Sequence, residues 1–327
     1  MGGRRAPARS AVGIDLGGTN FRAAVFHGAR RTFEHREEVG DRRDPASIVR
    51  RIAAVVDDAS PRSAPVGIGI AAMLRGFDGV VAHSPHLRWR DTPFGDMLRA
   101  ALPGRRVLVV NDVNAVTYGE YAAGAGRGTR DIACVFVGTG IGGGVVAGGR
   151  LLTGFNNTGA ELGHIKVVTG DAARRCNCGL RGCVEAYAGG SYLLARIRDE
   201  LTDGLRSTAV DLAGGIDAVT PAHIDRAAAQ GDPYATALWH EVAPLLGLAL
   251  ANVCTAFNPE RLILGGGVLA NAPTLRSLAV EACLPLINPP ARTGLSIVDA
   301  ELGDDAGITG AALLAGLRFP HQSPRNH

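Results

Sequence analysis

Short apolar runs alternate with amphipathic segments along the chain, and this pattern predicts a layered α/β protein. The runs AVGIDLG (11–17), VGIGIAA (66–72) and RVLVVNDVN (106–114) are short and continuous, as is typical of buried strands. Between the first two, the segment 47–59 spaces its apolar residues as one face of a helix. Strands that alternate with helices favour an α/β layered domain.

A second domain of the same kind is predicted to begin after Asn114. Residues 131–152 indicate a two-strand hairpin bent around a glycine turn, and 261–268 a further strand that ends in glycines. Helices are predicted at about 116–123, 184–202, 221–230, 232–256 and after Asp304. The strings IDLGGTN (14–20) and FVGTGIGGG (136–144) are both strand–turn–strand units, so the pattern is duplicated and predicts a cleft between two lobes.

Composition excludes several classes of protein. The chain has 327 residues, 46% hydrophobic and 20% charged, which suits two soluble domains. Its net charge of +3 is spread along the chain, so we expect no nucleic-acid partner. We also expect no membrane span and no export, because no apolar run approaches 18 residues and the N-terminus lacks an apolar stretch; a cytoplasmic location follows. Lys166 is the only lysine, which excludes a P-loop.

The turn DLGGTN is a candidate phosphate site. Gly17 and Gly18 let the backbone approach a polyphosphate, and successive N–H groups form an anion-binding concavity. Asp15, at the strand end, is placed to hold Mg²⁺ through water. A plain hairpin turn explains the same residues, and only the second glycine turn at 138–144 favours the phosphate site.

Asp112 follows the apolar strand RVLVV and is a candidate general base. It would accept the proton of a substrate hydroxyl as that oxygen attacks a γ-phosphate. Asp is also a preferred helix N-cap, and the local sequence alone favours that alternative.

Three cysteines and a histidine form a candidate zinc site. Cys176, Cys178 and Cys183 lie within CNCGLRGC, downstream of His164. In a chain with cytosolic features such a cluster indicates metal binding more than disulfides, and a Cys₃His set is a closed structural zinc site. The alternative is that these cysteines are incidental. The remaining cysteines are predicted to be buried core thiols: Cys134, Cys254 and Cys283.

Two carboxylates flank this candidate zinc loop. Glu161 and His164 are three residues apart and share a face if the segment is helical, and Glu185 closely follows the last cysteine. Carboxylates held in this way accept hydrogen bonds from sugar hydroxyls. A glycosidase pair is the alternative, and the twin glycine turns argue against it.

From about Val12 to Leu317 the chain resembles the ROK family of bacterial sugar kinases, and its glucokinase branch in particular. The resemblance rests on DLGGTN, VVNDVNA, GTGIGGG, GAELGH, CNCGLRGCVE and LILGGGV, in the family's order and spacing. It implies a two-domain sugar kinase/actin-like ATPase (ribonuclease H-like) α/β fold with a cleft between lobes. The lobes would be residues 1–114 plus a C-terminal helix 304–318, and 115–303 with the zinc-binding loop.

The resemblance also implies a role for each matching residue. Asp112 would be the catalytic base, with Asn111, Glu161, His164 and Glu185 on the sugar and His164 also on zinc. The ATP-binding residues would be Asp15, Gly17, Gly18, Thr19, Asn20, Thr139, Gly140, Gly266 and Gly267. The cofactors would be Mg²⁺ with ATP and structural Zn²⁺. The expected reaction is transfer from ATP to the 6-hydroxyl of a hexose, with glucose first, by a homodimer or homotetramer.

Several alternatives stay open from the sequence. Ala71-Ala72 and Pro85-His86 stand where family kinases often have Pro-Gly or Ala-Gly and Pro-Asn, so N-acetylmannosamine, N-acetylglucosamine, mannose or allose compete with glucose. Polyphosphate competes with ATP as donor. A sugar-sensing regulator on the same scaffold is less favoured, because we expect no room for a helix-turn-helix before the first strand. An actin-like ATPase would have no use for a sugar pocket.

Overall fold

Two five-stranded sheets with the same strand order form the framework of the protein. The computed structural model describes residues 10–28, 30–41 and 43–317. The strands are β1 (Ala11–Leu16), β2 (Asn20–His27), β3 (Arg30–Glu38), β4 (Val66–Ile70), β5 (Met73–Arg75), β6 (Val80–Ser84), β7 (Trp89–Thr92), β8 (Val107–Asn111), β9 (Ile132–Val137), β10 (Ile141–Ala147), β11 (Arg150–Leu151), β12 (Arg261–Gly265) and β13 (Ser296–Asp299).

Helices follow most of the parallel strands. They are α1 (Pro45–Ala59), α2 (Phe94–Ala101), α3 (Asp112–Ala123), α4 (Glu185–Ala188), α5 (Gly190–Thr202), α6 (Ala209–Ala213), α7 (Pro221–Ala229), α8 (Pro233–Phe257), α9 (Gly267–Asn271), α10 (Pro273–Cys283), α11 (Pro289–Arg292) and α12 (Asp305–Gly316). Short 3₁₀ turns lie at Leu162–His164, Ile216–Ala218 and Leu284–Leu286.

The two sheets repeat one topology. The first has the order β3-β2-β1-β4-β8 and the second β11-β10-β9-β12-β13. In each sheet the opening pair is antiparallel (β1/β2 and β9/β10), whereas β1/β4/β8 and β9/β12/β13 run parallel. The duplicated sequence pattern therefore corresponds to a duplicated sheet. A small three-stranded sheet, β5-β6-β7, is an addition that the apolar pattern does not predict, because its strands are short and only partly buried.

Helix α12 packs directly on the first sheet. Cβ atoms added at Gly13 on β1 and Gly67 on β4 would overlap the backbone carbonyls of Ile308 and Ala311 on α12. Glycine is needed at these two positions because the helix backbone occupies the space of a side chain. The C-terminal helix predicted after Asp304 is thus present and belongs to the core of the first sheet.

The contacts between residues divide the chain into two units. The first comprises residues 1–128, 151–160 and 301–327, and the second 129–150 and 161–300. Helix α3 falls in the first unit, whereas the sequence places the lobe boundary after Asn114; the lobe division of 1–114 with 304–318 stays a prediction. Residue 318 of that division lies outside the described part of the chain.

The strand predicted over 106–114 is shorter than expected. Strand β8 ends at Asn111, and α3 begins at Asp112 rather than at residue 116. The reason is local: the side chain of Asn111 accepts a hydrogen bond from the Asn114 backbone N–H at 3.1 Å, which starts the helix early. Asn111, and not Asp112, is therefore the N-cap.

Helix α8 is the one described helix with the length and apolar composition of a membrane span. Of its apolar window, 61% is buried within the protein, as in the core helix of a soluble fold. Cys254 of α8 is itself buried, like Cys134 and Cys283, so the prediction of three core thiols is confirmed.

Candidate active site

In the first unit, the candidate residues lie at the carboxyl ends of parallel strands. Asp15 and Gly17 lie at the end of β1, Ala71 follows β4, and Asn111 and Asp112 lie where β8 passes into α3. Since β1, β4 and β8 are neighbours in the sheet, these positions share one sheet edge. Ligands of open α/β sheets commonly bind at such an edge.

The first glycine turn is closed by a single backbone hydrogen bond. Gly17 N–H donates to Asn20 O at 3.0 Å, and the Thr19 carbonyl accepts from Val39 N–H at 2.7 Å. The N–H groups of Gly18 and Thr19 have no hydrogen-bond partner within residues 10–28, 30–41 and 43–317. Two adjacent free N–H groups are what an anion-binding turn requires.

Asp15 is a half-buried carboxylate next to this turn. Burial raises its pKa, the nearby Arg22 guanidinium lowers it, and the Asp304 carboxylate raises it again, so the pKa lies above its ordinary value. Arg22 itself is bound by the Asp305 carboxylate at 2.9 Å and the Asp304 carbonyl at 2.8 Å. A bound cation would favour the ionised form of Asp15.

Asn111 and Asp112 occupy the first positions of α3 and contact each other. Asn111 Nδ2 donates to Asp112 Oδ1 at 3.0 Å and to the Ala72 carbonyl at 3.3 Å, and Val113 N–H donates to Asp112 Oδ1 at 2.9 Å. Asp112 lies in the first helical turn, where the helix dipole favours a negative charge. Its carboxylate is held in one orientation by neighbours on either side.

The segment Pro85-His86 lies against the phosphate turn. A Cβ added at Gly18 would be 2.5 Å from His86 Cβ and 3.3 Å from His86 Cγ. Ser84 Oγ donates to the Ala71 carbonyl at 2.8 Å, which joins this segment to the end of β4. The sequence associates His86 with the choice of sugar, and the structure shows that it lies beside Gly18 of the phosphate turn.

The second unit carries a matching glycine turn after β9. Gly138 N–H donates to Gly140 O at 2.9 Å, as Gly17 N–H does to Asn20 O in the first turn. The carbonyls of Gly138 and Thr139 accept from the N–H groups of Gly190 and Ser191 at 2.9 and 2.8 Å, which fixes the turn to the start of α5. Gly266, at the end of β12, has φ +89° and approaches the Val137 backbone so closely that only glycine fits.

Glu185 connects this second turn to the cysteine cluster. Its Oε2 accepts from Ile141 N–H at 2.8 Å and would lie 2.5 Å from a Cβ at Gly140, and its Oε1 lies 3.7 Å from Cys176 Sγ. Desolvation raises the pKa of Glu161, the neighbouring His164 lowers it and the Glu185 carboxylate raises it, with a net increase. The three residues proposed from sequence therefore lie within electrostatic reach of one another.

The predicted zinc ligands converge. One donor atom each of His164, Cys176, Cys178 and Cys183 lies within 4.8 Å of all the others. Cys178 Sγ and Cys183 Sγ are 3.6 Å apart, and Cys176 Sγ and His164 Nδ1 are 3.8 Å apart. Tetrahedral zinc with Zn–S bonds of about 2.3 Å separates its ligands by about 3.8 Å, so the donor set and its spacing fit Zn²⁺.

Several residues that support the cysteine loop escape sequence analysis. The hydroxyl of Tyr187 accepts from Arg174 N–H at 2.8 Å, and that of Tyr192 from Asn177 N–H at 2.7 Å. Lys166 Nζ donates to Cys183 Sγ at 2.7 Å. The uniqueness of Lys166 was the one signal in the sequence that could have drawn attention to it. The tyrosines carry no such signal, because their partners are backbone groups.

Duplicated sheets with a glycine turn after the first strand of each define the sugar kinase/actin-like ATPase class, and Asp112 and the cysteine cluster suit its sugar kinases. The ROK family model matches residues 11–317, and the chain belongs to the ROK family.

Among relatives, it is 36% identical to the glucokinase of Thermotoga maritima (94% of this chain, 97% of the relative) and 31% identical to the N-acetylmannosamine kinase of Shigella boydii serotype 18 (93% and 97%). The structure of a ROK family glucokinase from Streptomyces griseus in complex with glucose and AMPPNP is similar with a TM-score of 0.74 at 33% identity (93% of this chain, 98% of that one).

Proposed function

We propose that this protein transfers the γ-phosphate of ATP to the 6-hydroxyl of a hexose, with glucose as the preferred sugar. The observation that carries the proposal is the first unit's sheet edge, where a glycine turn with free N–H groups and an oriented carboxylate, Asp112, occur together. A phosphate cradle beside a carboxylate is what phosphoryl transfer to a hydroxyl needs. Glucose as the sugar and ATP as the donor are supported by similarity to the glucokinases of Thermotoga maritima and Streptomyces griseus, the second of which was solved with glucose and AMPPNP.

In this proposal Asp112 accepts the proton of the hexose 6-hydroxyl as that oxygen attacks the γ-phosphorus. The hydrogen bonds from Asn111 Nδ2 and Val113 N–H stabilise the ionised carboxylate and aim one oxygen, and the other oxygen accepts the proton. The bond from the γ-phosphorus to the bridging oxygen of ADP breaks as the new P–O bond forms.

The phosphates are assigned to the two glycine turns. Gly17, Gly18, Thr19 and Asn20 would bind them in the first unit, and Thr139 and Gly140 in the second, with Gly266 and Gly267 on the nucleoside side. Asp15 would hold the Mg²⁺ that accompanies ATP, through water. Mg²⁺ would neutralise charge on the β- and γ-phosphates.

The sugar hydroxyls are assigned to polar groups of both units. Asn111 would bind the hexose from the first unit, and Glu161, His164 and Glu185 from the second. Zinc on His164 and the three cysteines would be structural, since a closed Cys₃His set leaves no position for a reacting water. It would keep the loop around Glu161 and Glu185 in one conformation.

The proposal extends to the protein's setting. ATP and a hexose are its partners, without nucleic acid or membrane, in a cytoplasmic homodimer or homotetramer. Polyphosphate as an alternative donor is tested separately, by measuring the hexose phosphate formed when polyphosphate replaces ATP.

An N-acetylmannosamine kinase is the second candidate. Relatives of that name are 31% identical over nearly the whole chain, and Ala71-Ala72, beside Asn111, depart from the residues frequent in the family's kinases.

One coupled assay separates the two candidates. ADP release is measured with ATP over glucose, mannose, N-acetylglucosamine, N-acetylmannosamine and allose, with 6-deoxyglucose as the control that lacks the acceptor hydroxyl. We expect the highest kcat/KM for glucose and no turnover of 6-deoxyglucose. A higher kcat/KM for N-acetylmannosamine would establish the second candidate, and no hexose-dependent ADP release would refute both.

A further inference from the structure

His86 lies on the candidate phosphate turn without a hydrogen-bond partner for its ring. Its Cβ and Cγ lie next to Gly18, whose missing side chain leaves the room for them. His86 is exposed, and no residue within the described ranges hydrogen-bonds its imidazole. Arg43 Nη1 donates to the His86 carbonyl at 2.8 Å. A polar side chain that stands beside free backbone N–H groups is placed to reach the same ligand.

The backbone of His86 is fixed from several sides. Arg43 also donates from Nε to the Gly40 carbonyl at 3.1 Å, and its own carbonyl accepts from Trp89 Nε1 at 2.6 Å. Ser84 Oγ accepts from Leu87 N–H at 3.3 Å. The backbone of the segment Ser84–Trp89 is therefore held in place beside the phosphate turn.

Two arginines near this turn, among the described residues, bind other groups. Arg22 binds Glu34, Asp305 and the Asp304 carbonyl, and Arg43 binds two carbonyls. The P-loop solution, a lysine on the phosphates, is absent from the sequence. The backbone N–H groups of Gly18 and Thr19 can bind some oxygens of a phosphate. Its outer oxygens receive no hydrogen bond from Arg22 or Arg43, because both arginines bind other groups.

We propose that His86 is a nucleotide-binding residue, whose ring N–H donates a hydrogen bond to the terminal phosphates of the nucleotide bound at Gly17–Asn20. The inference rests on the proposed kinase function and adds a side-chain ligand to its phosphate site. A hydrogen bond to a charged phosphate contributes enough to change affinity about tenfold.

The test is a set of binding titrations with AMPPNP, ADP and AMP on wild type and on His86→Ala, whose side chain has no hydrogen-bond donor. We expect an about tenfold higher Kd for AMPPNP in the variant, an unchanged Kd for AMP, and an unchanged Kd for glucose. His86→Arg, which restores a donor, should recover most of the AMPPNP affinity. His83→Ala on β6 is the control, because it removes a histidine three residues away from the same segment, and it should bind all three nucleotides like wild type.

Other outcomes overturn the inference in distinguishable ways. An unchanged AMPPNP affinity in His86→Ala, when wild type is active as a kinase, refutes the role of His86 and leaves the proposed function standing. Equal losses for AMP and AMPPNP would indicate a general disturbance of the site, and a loss of glucose affinity alone would assign His86 to the sugar. If wild type binds no nucleotide and phosphorylates no hexose, the proposed function fails together with the inference.

Discussion

Glu120 is a fully buried carboxylate on α3 whose partners are backbone groups. Its Oε2 accepts from the N–H groups of Ala125 at 2.9 Å and Glu301 at 3.1 Å, and its Oε1 accepts from Leu302 N–H at 2.8 Å. These bonds hold the segment that precedes α12. Buried carboxylates are tolerated when they are hydrogen-bonded, and here three backbone N–H groups bind the two oxygens.

Replacement Glu120→Gln should destabilise the protein. One accepting oxygen becomes an NH₂ group that faces backbone N–H donors, so we expect the free energy of unfolding to fall by about 2 kcal/mol. Urea denaturation measures this change. Glu281→Gln on the exposed face of α10 is the control and should stay within about 0.5 kcal/mol of wild type. Equal midpoints for the two variants would contradict the account.

For single residues, the sequence identifies which side chains are candidates for the site but does not fix the role of each. Asp112 is read either as a cap or as a base, and the structure gives the cap to Asn111, which releases Asp112 from that role. His86 is associated with the sugar, yet it contacts Gly18. Both outcomes depend on where neighbouring strands end in space, which no local pattern encodes.

Among the elements, α12 shows how closely helices and strands approach in the first unit. Besides its contact with the sheet, the helix packs on α3, where a Cβ at Gly310 would overlap the Ala115 carbonyl. Gly316, at the end of the same helix, has no neighbour within 4 Å of an added Cβ. The two glycines differ only in their surroundings and form a matched pair.

We expect opposite effects from alanine at these two positions. Gly310→Ala should lower the free energy of unfolding by about 1–3 kcal/mol, because α3 and α12 must separate. Gly316→Ala should leave it unchanged or raise it by up to about 1 kcal/mol through the higher helix propensity of alanine. Thermal unfolding of both variants is the measurement. A Gly310→Ala protein as stable as wild type would show that a methyl group fits between α3 and α12 without moving them.

The cysteine loop is the element whose order depends on a metal in this account. Cys178→Ser should lose zinc and raise the KM for glucose, because Glu161 and Glu185 lose their fixed positions. Elemental analysis of zinc per chain is the direct readout. Cys134→Ala, a change in the buried strand β9, should keep its zinc. Full zinc occupancy in Cys178→Ser would remove that residue from the ligand set.

The sequence predicts most of the strands and helices that are present, but not where each begins and ends. Strands β1, β4, β9 and β12 follow from continuous apolar runs bounded by glycine, a signal that is strong for buried parallel strands. The small sheet β5-β6-β7 was missed, since a strand such as Met73–Arg75 is too short to show a period. Glu161 and His164 would share a face of a helix, and the structure has a 3₁₀ turn at Leu162–His164 that Glu161 precedes.

For the whole molecule, duplication is the organising feature. IDLGGTN and FVGTGIGGG each lead from the first strand of a five-stranded sheet into the second, and both sheets share one strand order. The sequence reveals this because each unit needs the same glycine turn. It does not reveal that residues 151–160 join the first unit, since that depends on long-range bonds such as Gly76 N–H to Asn156 O at 3.2 Å and Asn157 Nδ2 to Gly76 O at 2.9 Å.

In the proposed function, the first unit's sheet edge performs phosphoryl transfer with Asp112 as the base. Asp112→Asn keeps the shape of the side chain and the hydrogen-bonding oxygen but removes its ability to take a proton. The most direct measurement is therefore the turnover of glucose with ATP by this variant, combined with calorimetry of glucose binding. The account predicts that kcat falls by about 10²–10⁴-fold while glucose binding stays measurable, and a kcat near that of wild type would contradict it.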